Sequence, residues 1–186
     1  LASAMGPDVR TISLITPNGG EFYSPESLHT GEHSQKDMIE FCYSQMNDKI
    51  VTVDAYSKLR SHTDEYIYFR TDHHWTAQGA WYAYEAWAGT NGLPLFDRSA
   101  VPAVTVDGFY GTNYSRARKP GIQPDTITYY DLPNTLSVED NAGGEVTWET
   151  GPMYEYSDFE TRDKYRAFLR GNNAYSCLLY TSDAAD

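Results

Sequence analysis

Basic residues are scarce in this chain: 14 Lys and Arg stand against 26 Asp and Glu, a net charge of −12 over 186 residues. A surface of that sign repels phosphate, which excludes nucleic acid as a partner and argues against docking on anionic lipid. Long apolar runs are missing too. No stretch approaches the ~20 residues of a membrane-spanning helix, and the N-terminus lacks the basic-then-apolar pattern of a signal peptide. The first residue is Leu1 rather than Met, which leaves a leader or anchor upstream open. Cysteine is limited to Cys42 and Cys177. Internal repeats and low-complexity tracts are absent. What remains is ordinary for a soluble globular protein, with 40% hydrophobic and 22% charged residues, enough for one domain with a real core. The 16 tyrosines read as core and ordinary surface, with sugar-stacking surfaces as the alternative.

Along the chain, strand-like and helix-like segments alternate. Val9 to Thr16 is a short, largely β-branched run that ends at the turn Pro17-Asn18-Gly19-Gly20, and Phe22 to Leu28 reads as a loop. Ser34 is placed to cap a helix with Asp37 in its first turn, burying Met38, Ile39, Cys42 and Met46 on one face. Ile50 to Val53 reads as a buried strand, Asp54 to about Arg60 as a short helix, and Tyr66 to Arg70 as the next strand. Thr76 then caps a helix running to about Ala88 and closed by Gly89 and Asn91-Gly92, with Ala80, Ala83, Tyr84 and Trp87 buried. This order predicts an α/β fold, a parallel sheet covered by helices. From Pro94 to Gly151 the chain turns to short strands and long loops, among them Thr126-Ile127-Thr128-Tyr129 and Val146-Thr147-Trp148. It reads as an inserted lid or side sheet. Ser157 and Glu160 fit a capping box for a last helix carrying Tyr165, Phe168 and Leu169 and ending at Gly171.

Chemistry concentrates in Thr71-Asp72-His73-His74-Trp75-Thr76. Residues i and i+2 of an extended segment share a face, so Asp72 and His74 are predicted to be neighbours while His73 points away. A carboxylate beside an imidazole accepts its Nδ1–H and fixes the tautomer, and the other nitrogen can then take a proton from a serine hydroxyl. Arg70 falls on the same face as Asp72 and is expected to pair with it, and Trp75 to wall the imidazole. The competing reading is an Asp-His hydrogen bond that merely closes a strand end. No cofactor is expected. A metal site from Asp72, His73 and His74 is disfavoured because neighbouring strand residues diverge, and His29, Glu32, His33 and His62 show no convincing ligand pattern.

Tyr68-Phe69-Arg70-Thr71-Asp72-His73-His74-Trp75-Thr76, followed by Gly79-Ala80, resembles the hallmark of the DHHW family of extracytoplasmic proteins. That family is itself similar to SGNH-like acetyltransferases of bacterial exopolysaccharide modification, including alginate O-acetylation proteins. The segments Phe22-Tyr23 to Leu28, Ser34-Gln35 and Val53 to Leu59 add to the likeness, which extends from about Val9 to Asn172 and thins after Pro94. The resemblance implies an incomplete three-layer α/β/α SGNH-hydrolase-like fold over residues 1–176, with 94–156 as a loop- and strand-rich insertion. It also implies a catalytic Asp72 and a catalytic His74, and a serine on an Asp-Ser turn further along. No Asp-Ser or Gly-x-Ser-x-Gly occurs in the chain, so the nucleophile is expected to be missing and the chain inactive. Gly111 and Asn172 are candidate oxyanion donors by the same resemblance and are left unassigned.

Residues 177–186, CLLYTSDAAD, look like a translated sequencing adaptor, a non-native tail in that reading, which would make a Cys42–Cys177 disulfide meaningless and leave Cys42 as a buried thiol. Two functions stay open under the resemblance. One is a serine esterase or O-acetyltransferase acting on cell-surface or secreted polysaccharide. The other is a non-catalytic carbohydrate-binding module or accessory partner of a membrane-bound O-acyltransferase. Both place the protein outside the cytoplasm.

Overall fold

A computed structural model describes residues 2–6, 8–25, 27, 34–140 and 146–179. His29, Glu32, His33 and the end of the tail from 180 onward lie outside the described residues. The chain forms a mixed α/β structure of small sheets and helices, divided into two compact units, Leu1–Asp97 and Arg98–Asp186.

In the first unit, β1 (Thr11–Leu14) pairs in parallel with β2 (Ile50–Val53), Thr11 opposite Ile50 and Leu14 opposite Val53. Parallel neighbours need a crossover, and here it contains α1 (Gly20–Tyr23) and α2 (Gln35–Ser44). Phe22 and Tyr23 are therefore helical where a loop was expected. Ser34 caps α2 as anticipated, its hydroxyl accepting the Asp37 N–H while the Asp37 carboxylate accepts the Ser34 N–H. The buried face of α2 differs from the one its apolar residues suggest. Ile39 is buried and Tyr43 half-buried, whereas Met38 is 60% exposed and the Cys42 thiol lies at the surface. The reason is the Tyr43 hydroxyl, which accepts the Ile15 N–H at 2.8 Å and donates to the Val53 carbonyl at 2.9 Å. One phenol thus ties the helix to the ends of both strands.

Next, α3 (Ala55–Arg60) starts directly after β2, with the Asp54 carboxylate accepting the Ser57 N–H, and buries Ala55, Tyr56 and Leu59. Thr76 caps α4 (Ala77–Asn91), which ends at Gly92 in the left-handed region, φ 65°. Gly79, Tyr82, Ala83 and Ala88 are its buried residues; Ala80, Tyr84 and Trp87 are only half-buried. Gly79 sets this rotation. A Cβ there would overlap the Ile67 carbonyl oxygen, so only glycine lets the helix lie this close to the backbone of the preceding segment. Leu59, Ile67, Tyr68 and Tyr82 form the core, with Phe22, Trp75 and Trp81 packed against it.

The expected strand Tyr66–Arg70 does not form. Its backbone makes one antiparallel bridge, Tyr68 with Trp75, and otherwise closes a loop on itself. The aromatic, β-branched run that looks like a strand finds no neighbouring ladder in this unit, where the described sheet is the β1–β2 pair.

In the second unit, β3 (Ala103–Phe109) pairs antiparallel with β4 (Asp125–Tyr130), with a bulge between Val106 and Phe109. A second antiparallel sheet has β5 (Thr135–Asp140) at its centre, between β6 (Thr147–Pro152) and β7 (Ser176–Leu179). Both short runs singled out in the sequence, 126–129 and 146–148, fall largely on strands. The expected helix after Ser157 is replaced by two 3-10 turns, Tyr156–Glu160 and Lys164–Ala167. Glu155 caps the first, accepting the Ser157 N–H at 3.4 Å and also the Ser157 hydroxyl at 2.7 Å. Phe159 stacks on Tyr129 at 4.5 Å, while Phe168 meets Tyr154 edge-on at 5.6 Å. The chain must double back to seat both rings, and a straight helix could not. Leu169, Arg170 and Gly171 complete the reversal, all three with positive φ.

Candidate active site

The loop that carries Asp72 and His74 is fixed at its neck by short-range bonds. Phe69 N–H donates to the His74 carbonyl at 3.2 Å, and Thr76 N–H donates to the Ile67 carbonyl at 3.0 Å. The Thr76 hydroxyl does two jobs. It donates to the Tyr66 carbonyl at 2.8 Å and accepts the Gly79 N–H at 3.3 Å, so the cap of α4 also closes the loop. On the other side, the buried Tyr68 hydroxyl donates to the Pro17 carbonyl at 2.6 Å. Burial pushes the Tyr68 phenol well above its ordinary range, which keeps it a donor. Gly19 completes this tie, since a Cβ would press on the Tyr68 ring at 3.2 Å. The sequence reading missed the Pro17–Tyr68 bond. Its signal, a tyrosine in an otherwise apolar run opposite a Pro-Asn-Gly-Gly turn, becomes visible only when the two segments meet.

Within the loop the expected pair is formed. His74 Nδ1 lies 2.5 Å from Asp72 Oδ1, and the same oxygen accepts the His74 backbone N–H at 3.0 Å. The route differs from strand alternation. Residues 71–74 form a bend, and Asp72 folds back on the residue two ahead in the manner of an Asx turn. The Asp72 side chain is 2% exposed and that of His74 36%, so a buried carboxylate presents an accessible imidazole. With Nδ1 committed to Asp72, proton exchange with a substrate falls to Nε2.

The bend also changes where His73 goes. Its ring sits against His74, centroids 3.8 Å apart, with Nδ1 3.7 Å from Asp72 Oδ1. His73 therefore does not point away, and the steric reason for dismissing it as a ligand falls with the strand. One ligand atom from each of Asp72, His73 and His74 lies within 4.8 Å of the others.

The Arg70 guanidinium lies over the Tyr66 ring at 5.0 Å, and Trp75 packs into the core beside Leu59 and Tyr82. His62 belongs to a different cluster, stacked on Tyr82 at 3.7 Å and bonded to Glu65 at 2.9 Å. Tyr82 donates to that same carboxylate, and Lys58 and Trp81 both reach Glu85, which staples α3 to α4. In the second unit Gly111 precedes α5 (Thr112–Ala117), and Asn172 follows the left-handed run. Cys42 and Cys177 are both free thiols.

Comparison with known proteins gives this loop a context. No curated protein matches the chain. A family model described as "DHHW protein" matches residues 26–186. Among solved structures, a DHHW family protein from Eubacterium siraeum is similar over 98% of this chain, with 25% identity and a TM-score of 0.78. This chain spans 61% of that protein's length. Bacillus cereus PatB1 is similar at 14% identity and TM-score 0.57, covering 77% of this chain and 52% of its own, a likeness of fold. PatB1 with a sulfonyl adduct is similar at 12% identity and TM-score 0.61, covering 81% of this chain and 52% of its own. With a family model covering most of its length and the Asp72-His73-His74-Trp75 run in place, this chain belongs to the DHHW family.

Proposed function

We propose that the Asp72–His74 pair is the acid–base half of an acyl-transfer centre, in a protein that acts as an SGNH-like serine esterase or O-acetyltransferase on cell-surface or secreted polysaccharide, outside the cytoplasm. The 2.5 Å contact between His74 Nδ1 and a buried Asp72 carboxylate carries the reading. In the proposed reaction His74 Nε2 takes the serine hydroxyl proton as the oxygen attacks the acyl carbonyl. It then returns that proton to the departing oxygen, while Asp72 holds the imidazolium. Parallel β1 and β2 with their flanking helices support a three-layer α/β/α arrangement for the complete fold. PatB1, whose structure has been solved with a sulfonyl adduct, has a similar fold. Among the described residues, no helix is long and apolar enough to cross a membrane.

No Asp-Ser turn occurs in the 186 residues, so the proposal leaves this chain without its nucleophile and predicts no acetyl-ester turnover from it alone. The deciding experiment uses the protein encoded by the uninterrupted gene. His74→Ala is expected to lower acetyl transfer to polysaccharide by ~10²–10⁴-fold with the fold retained. Wild-type rates in His74→Ala would overturn the assignment. The same nucleotide sequence tests the adaptor reading of 177–186, since codons unrelated to an adaptor would remove it.

A second reading is favoured by one observation. Trp148 and Tyr175 are 52% and 54% exposed and meet edge to face at 5.4 Å, an aromatic surface suited to a sugar ring. In that reading the protein binds polysaccharide without catalysis, as the partner of a membrane-bound O-acyltransferase. A gene product that binds polysaccharide but shows no transfer would support it.

A further inference from the structure

The geometry points to a divalent transition-metal site of the zinc class on the Asp72-His73-His74 loop, with His73 as the ligand that separates metal binding from acid–base chemistry. Zinc bound to nitrogen and oxygen at about 2.0–2.2 Å in a tetrahedron keeps adjacent ligand atoms roughly 3.3 Å apart. The distances from Asp72 Oδ1 to the two Nδ1 atoms, 2.5 Å and 3.7 Å, bracket that spacing. A small rotation of the imidazoles would equalise them. The donor set of one carboxylate and two imidazoles is the chemistry that zinc, copper and nickel select.

The loop is also built to hold such an ion. Its neck bonds and the Thr76 cap fix the backbone, so little ordering remains to be supplied on binding. His73 is 57% exposed and gives an ion access, while the buried Asp72 supplies the negative charge beneath it. Three protein ligands leave a fourth position to water. Coordination replaces the proton on His74 Nδ1, which passes to solvent, so His74 cannot carry a metal there and keep its bond to Asp72. Under the acyl-transfer reading a bound ion would therefore silence the base. That consequence rests on the proposed function; the binding itself does not.

Titration of the 186-residue chain with zinc chloride in a calorimeter tests the site without any acyl substrate. One ion per chain is expected, with the imidazole nitrogen signals of His73 and His74 shifting together in NMR spectra and that of His62 unmoved. His73→Ala, at an exposed position outside the Asp72–His74 pair, should weaken binding by at least about tenfold, the lower end of what loss of even a supporting partner does. Changing His29 and His33 together to Ala should leave the affinity unchanged. The site is refuted if wild type takes up no stoichiometric zinc. It is equally refuted if His73→Ala binds like wild type, or if the His29/His33 variant loses the ion. A negative result leaves the acyl-transfer reading standing, because that reading is judged on His74→Ala turnover.

Discussion

The two compact units hold themselves together by different means. In Leu1–Asp97 a core that includes Phe22, Tyr68, Trp75, Trp81 and Tyr82 is supplemented by single polar bonds at the ends of elements: Tyr43 across β1 and β2, Tyr68 on Pro17, Thr76 on Tyr66 and Gly79. In Arg98–Asp186 the corresponding work falls to aromatic packing, with Tyr129, Tyr154, Phe159 and Phe168 in mutual contact. Directional bonds fix atoms to within a fraction of an ångström, whereas ring packing fixes a volume. It follows that the polar unit is the one able to hold a carboxylate and an imidazole in a set geometry.

The largest test of this contrast is Phe159→Ala. Removing a buried ring that stacks on Tyr129 should cost about 3–5 kcal/mol, read as a drop in the urea midpoint of the transition followed by near-ultraviolet tyrosine dichroism. A loss below 1 kcal/mol would mean that the aromatic cluster is not what stabilises the second unit.

Gly79→Ala probes the other mode. One methyl group pushed against the Ile67 carbonyl should cost about 1–3 kcal/mol. Its signature is local: the Thr76 and Phe69 amides, which close the neck, should lose hydrogen-exchange protection before the rest of the unit does. Uniform loss of protection would break the link between helix approach and loop closure.

The smallest effect is a difference in pH response. In the second unit Tyr154, through burial, and Tyr156, chiefly through its bond to Asp131, have phenols pushed up to about 12. Their neutral forms are favoured by folding, so their contribution is complete below pH 10 and is lost as pH rises towards 12. In the first unit burial works to raise Glu85, but its bonds to Lys58 and Trp81 outweigh that and lower it overall. Its contribution is present above its ordinary value of 4.5 and is lost as pH falls below it. Absorbance of phenolate near 295 nm and the acid limb of a stability profile read the two separately. Phenolate appearing in full by pH 10 would contradict the tyrosine assignment.

What could be read from residue order was whatever local chemistry decides. Ser34 with Asp37, Thr76 and Gly92 are caps whose partners lie within a few residues, and each is found where expected; Asp54, read as the first residue of its helix, caps it instead. The Asp72–His74 contact was legible as well, although alternation along a strand was the wrong cause; a bend delivers the same pair and also brings in His73. Errors arose where distant partners decide. Tyr43 looks polar until its hydroxyl meets two strand ends, so Met38 and Cys42 were given its place in the core. Residues 157–171 carry a helical pattern, but Phe159 and Phe168 must reach one aromatic cluster, and the chain bends to suit them.

The reversal at Leu169, Arg170 and Gly171 places three consecutive residues on the side of the backbone map that suits the mirror-image amino acids. For Leu169 and Arg170 the handedness of the Cα atom itself works against the fold, by roughly 1–2 kcal/mol each. Asn173 opposes that tendency, its amide reaching the carbonyls of 169, 170 and 171. Chirality is thus a design variable at this corner. It is a place in the chain where a D-residue, or a residue with no chirality at all, would fit better than the one that nature's hand supplies.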